Sequence, residues 1–192
     1  TMIAGSIGGA SAAGVGGANA TLEHTDTVEA FVGERAAVAT GGSLGLSLAA
    51  ASSEEVIAIT AAGGFASTAG ISGSAVVNDL RETTRAYIGR SATVAAQHAT
   101  RDPGIAVSAS DDTTIVSVAG SLAGAGTAAV GVGTDIGIIA KTTEAYLDSG
   151  VTAHADGDIR VEARSREDVT SVAAGLAAGG TANVALDASV HL

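Results

Sequence analysis

Hydrophobic and polar residues alternate with a period of two along much of the chain. Residues 159–164 are Ile-Arg-Val-Glu-Ala-Arg, and residues 116–118 are Val-Ser-Val. A period of two with β-branched residues on one face is typical of a half-buried strand, whereas a helix would show a period of about 3.6. We therefore predict β-strands whose isoleucine and valine side chains point inward.

One signature recurs three times. It is Thr27-Val-Glu-Ala-Phe-Val-Gly33, then Thr83-Thr-Arg-Ala-Tyr-Ile-Gly89, then Thr142-Thr-Glu-Ala-Tyr-Leu-Asp148. Its aromatic residues, Phe31, Tyr87 and Tyr146, are 56 and 59 residues apart. A Gly- and Ala-rich tract begins 27 residues before each of them, at Ala4, Thr60 and Ala119, and a fourth tract begins at Ala173. Repetition of this kind is the sequence signature of a stacked repeat protein.

The other half of each copy varies in length at one place. Seven residues after each aromatic residue come Val38, Val94 and Ala153, and a loop of different length follows in every copy. The pattern resumes at Leu44, Ile105 and Ile159, and polar triplets lie at residues 53–55, 112–114 and 166–168. Solenoids have such a constant frame with one variable corner, because a loop can leave the coil without disturbing its neighbours.

These features predict an all-β fold, a parallel β-solenoid (β-helix). Right-handed winding is favoured, although the pattern itself does not determine the handedness. The solenoid forms a single repetitive segment over residues 1–192, with copies at 1–33 (partial), 34–89, 90–148 and 149–192 (partial). At roughly 18 to 22 residues per coil and about 4.8 Å per layer, each copy would hold three coils, giving about ten coils and a rod of roughly 50 Å. The aromatic residues would then lie above one another on every third coil. The alternative is a flattened two-sheet β-roll or sandwich; helices are excluded because each interior glycine costs about 1 kcal/mol.

Composition favours a thin, ordered core. Hydrophobic residues make up 46 % of the chain but aromatic residues only 2 %, and 27 residues are glycine. Small side chains suit sheets that approach each other closely rather than a large round interior. Disorder is excluded, because a mean hydropathy of +0.40 with 15 % charged residues is the reverse of a disordered composition.

Charge and residue usage exclude several classes of partner. The net charge is −11 and no basic cluster occurs, so neither nucleic acid nor an anionic membrane surface is an expected partner. Cysteine is absent, which excludes disulfides and thiolate metal sites. No apolar run is long enough for membrane insertion, because residues 115–139 come nearest but contain Asp135 and many glycines. No signal peptide is recognisable and both termini cut through a copy, so we expect a segment of a longer protein.

The combination of these motifs resembles a known family. The motif Thr142-Thr-Glu-Ala-Tyr-Leu, a glycine-containing turn, alternating valine strands and the tract Ser171-Val-Ala-Ala-Gly-Leu-Ala-Ala-Gly-Gly are similar to repeats of giant bacterial filamentous adhesins. These are the filamentous-haemagglutinin-like and leukotoxin-type surface proteins, whose long stalks are repetitive β-helices. The resemblance covers essentially all 192 residues. It implies export, an extracellular or bacterial cell-surface location, and a role in adhesion or in holding a tip domain away from the cell.

The aromatic residues of the signature are the candidate ligand-binding residues. Phe31, Tyr87 and Tyr146 share one register, so they form a row that could stack on a carbohydrate. Packing in a corner of the coil is the simpler interpretation. No cofactor is predicted apart from the possibility of calcium at Asp156 and Asp158, where a polar Asp-Gly turn is favoured because the Gly-Gly of the calcium nonapeptide is missing.

The histidines and the paired acids are the remaining candidates for chemistry. The four histidines, His24, His98, His154 and His191, do not share a register, and His98 and His154 lie in the variable loops, where carboxylates could join them as metal ligands. Acid pairs recur at residues 54–55, 111–112 and 167–168. Catalysis by two carboxyl groups requires that the two groups have different environments within one cleft. Acid pairs that recur at one position of each copy instead indicate a solvated edge beside a turn. We therefore predict no catalytic residues and no enzyme activity.

Taken together, the sequence predicts a structural stalk or fibre segment of a secreted or surface-bound adhesin. Its partners would be flanking repeats of the same chain and a host-surface glycan or protein. A subunit that joins end to end into an extracellular filament is the alternative, because an uncapped solenoid exposes unpaired strand edges. A β-helical carbohydrate-active enzyme is the competing class.

Overall fold

The computed structural model describes residues 1–97 and 103–192, and in this part of the chain all regular structure is β-strand. Among these residues, no helix exists that is long and apolar enough to cross a membrane. The strands are β1 (Met2–Ala10), β2 (Ala13–Val32), β3 (Ala37–Thr40), β4 (Leu46–Ala66), β5 (Ala69–Ile88), β6 (Thr93–Ala96), β7 (Ile105–Ala125), β8 (Ala128–Leu147), β9 (Thr152–Ala155), β10 (Ile159–Ala178) and β11 (Ala182–His191).

The strands form three parallel sheets. Sheet A has the order β1-β4-β7-β10, sheet B has the order β11-β8-β5-β2, and sheet C has the order β3-β6-β9. In each of the first three coils the chain passes along a strand of sheet A, a strand of sheet B and a four-residue strand of sheet C. It then returns to sheet A one layer further on, and the paired strands are parallel and in register. This arrangement is a parallel β-solenoid and confirms the predicted fold class.

One coil takes up one whole sequence repeat, which is longer than predicted. Met2 pairs with Ala58, Leu46 with Ile105 and Ile105 with Ile159, so successive layers are 56, 59 and 54 residues apart. The prediction of three short coils per repeat and about ten coils in all is wrong, because β4, β5, β7 and β8 each contain 20 or 21 residues. Sheets A and B therefore have four layers, and sheet C has three.

The long strands make the stack wider than it is tall. A straight strand of 20 residues is about 65 Å long, whereas four neighbouring strands span only about 15 Å. The predicted rod of roughly 50 Å is therefore wrong, because the longest dimension of a coil follows the strands and not the stacking axis.

The predicted repeat alignment is confirmed in most columns of the sheets, where a column is the set of residues that pair with one another on successive strands. The tracts that begin at Ala4, Thr60, Ala119 and Ala173 pair in register, and so do Val38, Val94 and Ala153 in sheet C. One column differs from the prediction. Leu46 pairs with Ile105, whereas Leu44 is 72 % exposed in the preceding loop. The variable loop lies between sheets C and A in every coil.

At one end of each layer, sheets A and B approach so closely that glycine is required. A Cβ on Gly64 of β4 would lie 2.0 Å from the carbonyl oxygen of Ile71 in β5, and one on Gly16 of β2 would lie 1.9 Å from that of Gly63. The reversals that join the two sheets at this end lie at residues 11–12, 67–68, 126–127 and 179–181. The Gly- and Ala-rich tracts therefore form the ends of long strands, and we call this end of the layer the glycine-rich end.

The inward side chains near the glycine-rich end are small. Ser117 and Ala119 of β7 are buried, and Asn78 of β5 donates a 2.8 Å hydrogen bond to the Ser117 hydroxyl across the gap between the sheets. Val116 and Val118 consequently point outward, because adjacent residues of a strand project to opposite faces. Their predicted inward orientation is wrong.

At the other end of the layer, sheet C closes the space between sheets A and B, and the core is aliphatic. Val94, Ile105 and Val107 are at most 1 % exposed and pack in one cluster. Ile159 and Val161 occupy the columns of Ile105 and Val107 and therefore lie on the same face of sheet A, but in the last layer each is 43 % exposed. Burying a side chain of this size stabilises the fold by about 1.5–3 kcal/mol.

The turn between sheets B and C holds one residue per coil in the left-handed backbone region. Arg35 and Ser91 have a φ of 55°, and Gly150 has a φ of 74°. The pairing of the adjacent strands of sheet C makes these positions equivalent. Glycine adopts this conformation without strain, whereas a residue with a Cβ loses roughly 1–2 kcal/mol. The turn at Gly150 is therefore the least strained of the three.

Gly64→Ala is expected to lower the free energy of unfolding by about 1–3 kcal/mol, because the added methyl group must push the two sheets apart. Gly73→Ala in β5 is the matched control, since nothing lies within 4 Å of the Cβ that it adds. The control should leave stability unchanged or raise it by up to about 1 kcal/mol through reduced entropy of the unfolded chain. Urea unfolding followed by circular dichroism measures both, and equal effects would contradict the close approach of the sheets.

Candidate functional site

Phe31, Tyr87 and Tyr146 form a stacked row on the outer face of sheet B. Adjacent ring centroids are 5.2 Å apart in both pairs, and the interplanar angles are 9° and 6°. This spacing follows from strand pairing, because the three residues occupy one column of β2, β5 and β8 and neighbouring strands lie about 4.8 Å apart. The row therefore lies on successive coils, and the prediction that its members lie on every third coil is wrong.

The ring faces of this row are largely occupied by one another. Tyr87 stacks on a ring on each side, so only Phe31 and Tyr146, which are 54 % and 36 % exposed, have a face that no ring of the row covers. Burial raises the pKa of the Tyr87 hydroxyl, and the nearby negative charge of Glu29 adds to this effect. The row therefore stabilises the stacking of coils. Carbohydrate stacking on it stays a prediction for the two terminal rings.

Tyr87→Ala is expected to reduce stability about twice as much as Tyr146→Ala, because Tyr87 stacks on two rings and Tyr146 on one. Each stacked pair contributes about 0.5–1.5 kcal/mol beyond the area that it buries. Chemical unfolding of both variants and of the unaltered chain measures the difference. Phe31→Tyr preserves the stack and should be close to neutral. Equal losses in the two alanine variants would show that stacking does not hold the coils together.

A band of polar side chains crosses the interior between sheets A and B. The Lys141 ammonium of β8 lies 3.3 Å from Glu82 Oε2 and 3.6 Å from Glu167 Oε1, and it also contacts Asp111 Oδ1. It donates a 2.5 Å hydrogen bond to Thr113 Oγ1, and the Thr113 hydroxyl lies 3.1 Å from Glu82 Oε2. The Lys141 side chain is only 6 % exposed. These five residues, the Lys141 cluster, form an ion-pair network that connects the two sheets.

Burial and opposite charge act against each other in the Lys141 cluster. Burial raises the pKa of the Glu82 carboxyl, and the negative charge of Asp111 raises it further, against the lowering effect of Lys141. Burial acts to lower the pKa of Lys141, but the hydrogen bond and charge of Asp111 and the charge of Glu82 outweigh it, so this pKa is raised. Lys141 is therefore held in its protonated form, and its charge compensates for the burial of carboxylates here.

The recurring acid pairs do not lie at a solvated edge beside a turn, so that prediction is wrong. Residues 54–55, 111–112 and 167–168 lie well inside β4, β7 and β10. Asp111 is 3 % exposed and faces the interior, whereas the side chain of Asp112 is 65 % exposed. One acid of each pair points inward, because adjacent residues of a strand project to opposite faces.

Lys141→Met is expected to lower the free energy of unfolding by about 3–5 kcal/mol, because it leaves buried carboxylates without their cation. Arg81→Met is the matched control. Arg81 forms a 3.1 Å ion pair with Asp79, but its side chain is 58 % exposed, so the loss should stay below about 1 kcal/mol. Urea unfolding at neutral pH compares the variants. A loss for Lys141→Met as small as that of the control would contradict the stabilising role of the cluster.

The predicted calcium residues and His154 do not belong to a group of three or more potential metal ligands among the described residues. Asp156 and Asp158 follow β9, and His154 Nε2 lies 4.0 Å from Asp156 Oδ1. Within the described ranges, the one group of three or more His, Asp or Glu side chains close enough to share an ion comprises residues 24, 54 and 82, so it includes neither aspartate. Calcium binding at the two aspartates stays a prediction. His98 lies outside the described residues.

Four polar residues meet near the C-terminal end of the stack, but not as a catalytic triad. Ser171 donates a hydrogen bond to Asp135 Oδ2, and Ser189 Oγ lies 3.2 Å from His191 Nε2. The ion-pair contact of His191 with Asp135 uses the same nitrogen, Nε2, at 3.7 Å. A triad requires the serine and the carboxylate on opposite imidazole nitrogens. This arrangement therefore cannot activate a serine as that mechanism requires.

The outer face of sheet A is apolar at the glycine-rich end. Ile3, Ile7, Leu122 and Leu176 are 75, 85, 43 and 64 % exposed there. A cavity of about 610 Å³ on this face, bounded by Phe65, has no titratable side chain in its lining. Acid–base chemistry needs titratable groups in a cleft, whereas a contiguous apolar surface is typical of an interaction surface.

The alternation of inward and outward residues along each strand is the sequence signal for the Lys141 cluster, and the prediction of a solvated edge does not take this alternation into account. In β7 the odd-numbered residues from Ile105 to Ile115 point inward, so Asp111 and Thr113 had to be interior residues of the same alternating series. The prediction of a solvated edge depends instead on the recurrence of the acid pairs at or beside one turn in each copy. No sequence signal indicates which residue of sheet B lies opposite each of these.

Comparison with known proteins identifies no relative. No protein-family model, no curated protein and no solved structure matches this chain. Any functional conclusion therefore depends on the geometry and the sequence of the chain itself.

Proposed function

We propose that this chain is a structural segment of a bacterial extracellular fibre, the stalk or body of a surface adhesin, without catalytic activity of its own. The observation that carries the proposal is the equivalence of successive layers. The paired strands of all three sheets are parallel and in register, so each coil is a template for the next. Such a unit can be lengthened by whole coils without any change in its cross-section, which is the property that a fibre needs.

Both ends of the stack offer strand edges to a further layer. β1, β2 and β3 lie at one end of their sheets, and β9, β10 and β11 lie at the other. An edge strand carries backbone N–H and C=O groups that can pair with another strand. The expected partners are flanking repeats of the same chain, since these would continue the same columns.

The extracellular location rests on the resemblance of the repeated signature to filamentous adhesin repeats. The surface charge is compatible with it, because a net charge of −11 keeps long fibres apart from one another. The absence of cysteine means that neither disulfides nor thiolates are needed to hold the coils together. A host-surface glycan or protein would be the partner of the assembled adhesin.

The wide coil favours a thick fibre over one that is long for its number of residues. A coil uses 54 to 59 residues and adds one strand spacing of about 4.8 Å to the stack. A solenoid with 20-residue coils would gain about three times as much length per residue. In exchange, strands of about 20 residues in two facing sheets give a broad cross-section, and resistance to bending rises steeply with width.

Self-assembly of separate copies end to end is the second candidate. It is favoured by the apolar side chains that the first and last layers leave uncovered. Ile7 of β1 is 85 % exposed, Val15 of β2 is 66 % exposed and Leu186 of β11 is 58 % exposed. A second copy that pairs with an edge strand would cover such side chains as well as the free backbone groups.

Insertion of a second copy of residues 105–158 directly after Asp158 tests the proposed fibre role. Because Ile105 and Ile159 are paired partners 54 residues apart, the insert should add one coil in register. We expect a folded protein with a higher unfolding midpoint, and two such inserts should lengthen the stack by about 10 Å in small-angle X-ray scattering. The matched control is the same insert without its copy of Ser117. This deletion turns the side chains of the following residues to the opposite face of the sheet and should destabilise the fold.

An insert that lowers the unfolding midpoint, or that unfolds separately from the rest, would contradict the fibre proposal. Electron microscopy of the unaltered chain at rising concentration separates the two candidates, because only a self-assembling filament should grow longer. If the chain is a passive stalk, we expect it to bind no glycan on a glycan array. Binding that Tyr146→Ala removes would assign adhesion to the aromatic row.

A further inference from the structure

Three potential metal ligands from different strands converge in the interior. His24 of β2, Glu54 of β4 and Glu82 of β5 each have a ligand atom within 4.8 Å of those of the other two. Glu54 belongs to sheet A, whereas His24 and Glu82 belong to adjacent layers of sheet B. The group therefore connects both sheets and two successive coils.

Two atoms of this group are buried without a hydrogen-bond partner. They are His24 Nε2 and Glu82 Oε1, and Glu82 as a residue is only 2 % exposed. Glu54 Oε1 lies 3.4 Å from His24 Nε2, but no hydrogen bond joins these two side chains. Removing a carboxylate oxygen and an imidazole nitrogen from water without a partner is costly, and a cation bound by this group would offset that cost.

The local charge balance also calls for a cation. Lys141 is in ion-pair contact with three carboxylates, those of Glu82, Asp111 and Glu167. Glu54 adds a fourth negative charge to the same band, and its side chain is only 26 % exposed. The carboxylates of Glu82 and Asp111 are buried, whereas those of Glu54 and Glu167 are partly exposed. One ammonium group does not balance all four, and a cation beside Glu54 and Glu82 would reduce the excess negative charge.

The spacing and the surroundings fit a small four-coordinate ion. Two ligands each about 2.1 Å from a tetrahedral ion are separated by about 3.4 Å, which is the distance between His24 Nε2 and Glu54 Oε1. A cavity of about 140 Å³ adjoins His24 and Glu54, and residues Thr1, Met2 and Leu22 also line it. It has room for a water molecule as a fourth ligand.

We propose that His24, Glu54 and Glu82 bind one divalent transition-metal ion of the Zn²⁺ class, which joins sheets A and B and the first two coils. An imidazole nitrogen with two carboxylates suits Zn²⁺, because Ca²⁺ requires six to eight oxygen ligands. The ion stabilises the end of the stack by binding only to the folded state. This site is independent of the fibre role, since it requires only that the coils stack.

Titration of the metal-free full chain with ZnCl₂ by isothermal calorimetry tests the site. We expect one ion per chain, binding weakened at least 10-fold in His24→Gln and in Glu54→Gln, and unchanged binding in His154→Gln. His154 is the matched control because its side chain is 66 % exposed and lies in sheet C. Circular dichroism verifies that each variant is folded. Visible absorption of the Co²⁺-loaded unaltered chain adds a measurement without any variant, and it should show the intense bands of a tetrahedral site.

The site is overturned by the absence of saturable Zn²⁺ binding, or by His24→Gln binding as tightly as the unaltered chain. Loss of binding in His154→Gln would locate the ion elsewhere and would equally contradict the proposal. Ca²⁺ binding that is tighter than Zn²⁺ binding, or a weak octahedral Co²⁺ spectrum, would refute the class of ion. A rise in the unfolding temperature with Zn²⁺ that is lost in Glu54→Gln would support the proposed link between the coils.

Discussion

In-register pairing of equivalent residues on successive coils is the constraint on which the rest of the structure depends. It places each side chain about 4.8 Å from its counterpart in the next layer, so each side chain must be able to pack against the equivalent side chains of the layers beside it. Aromatic rings gain from this, as the stack of Phe31, Tyr87 and Tyr146 shows. Like charges repel one another at this distance, and in two inward columns the acids are separated by neutral residues. Asp111 lies between Ser52 and Ser165, and Thr113 lies between Glu54 and Glu167. In a third column Glu82 has Asp26 on one side and the cation Lys141 on the other.

A second constraint is the distance between sheets A and B, which changes along every layer. Where the chain reverses between the two sheets, the backbones are too close for a side chain, and positions such as Gly16 and Gly64 are glycine. Where sheet C separates them, Ile105 and Val107 fill the space. The polar band lies between these two ends. The scarcity of aromatic residues, which make up 2 % of the chain, follows from this geometry, because the narrow interior has little room for a ring. The aromatic residues lie largely on the outer face.

The same two constraints connect structure and proposed function. Equivalent layers with strand edges at both ends would let the proposed fibre lengthen by addition, and the polar band provides ion pairs that hold the sheets together at their middle. The band also explains how a divalent cation could act as a structural element in a protein without cysteine. Its ligands come from two sheets and two layers, so the ion would strengthen the direction of stacking as well as the contact between the sheets.

The sequence by itself determined the repeat, its columns and the strand character, because these depend on local alternation and on distances along the chain. The columns of Tyr87 and Val94 could be assigned without coordinates for that reason. Only the tertiary structure decided that one repeat makes a single wide coil, that Val116 faces outward, and that Asp111 meets Lys141 in the interior. Those facts depend on where the chain reverses and on how far apart the facing sheets lie. A period of two is the same in a short strand and in a long one, and it does not reveal which face meets the other sheet.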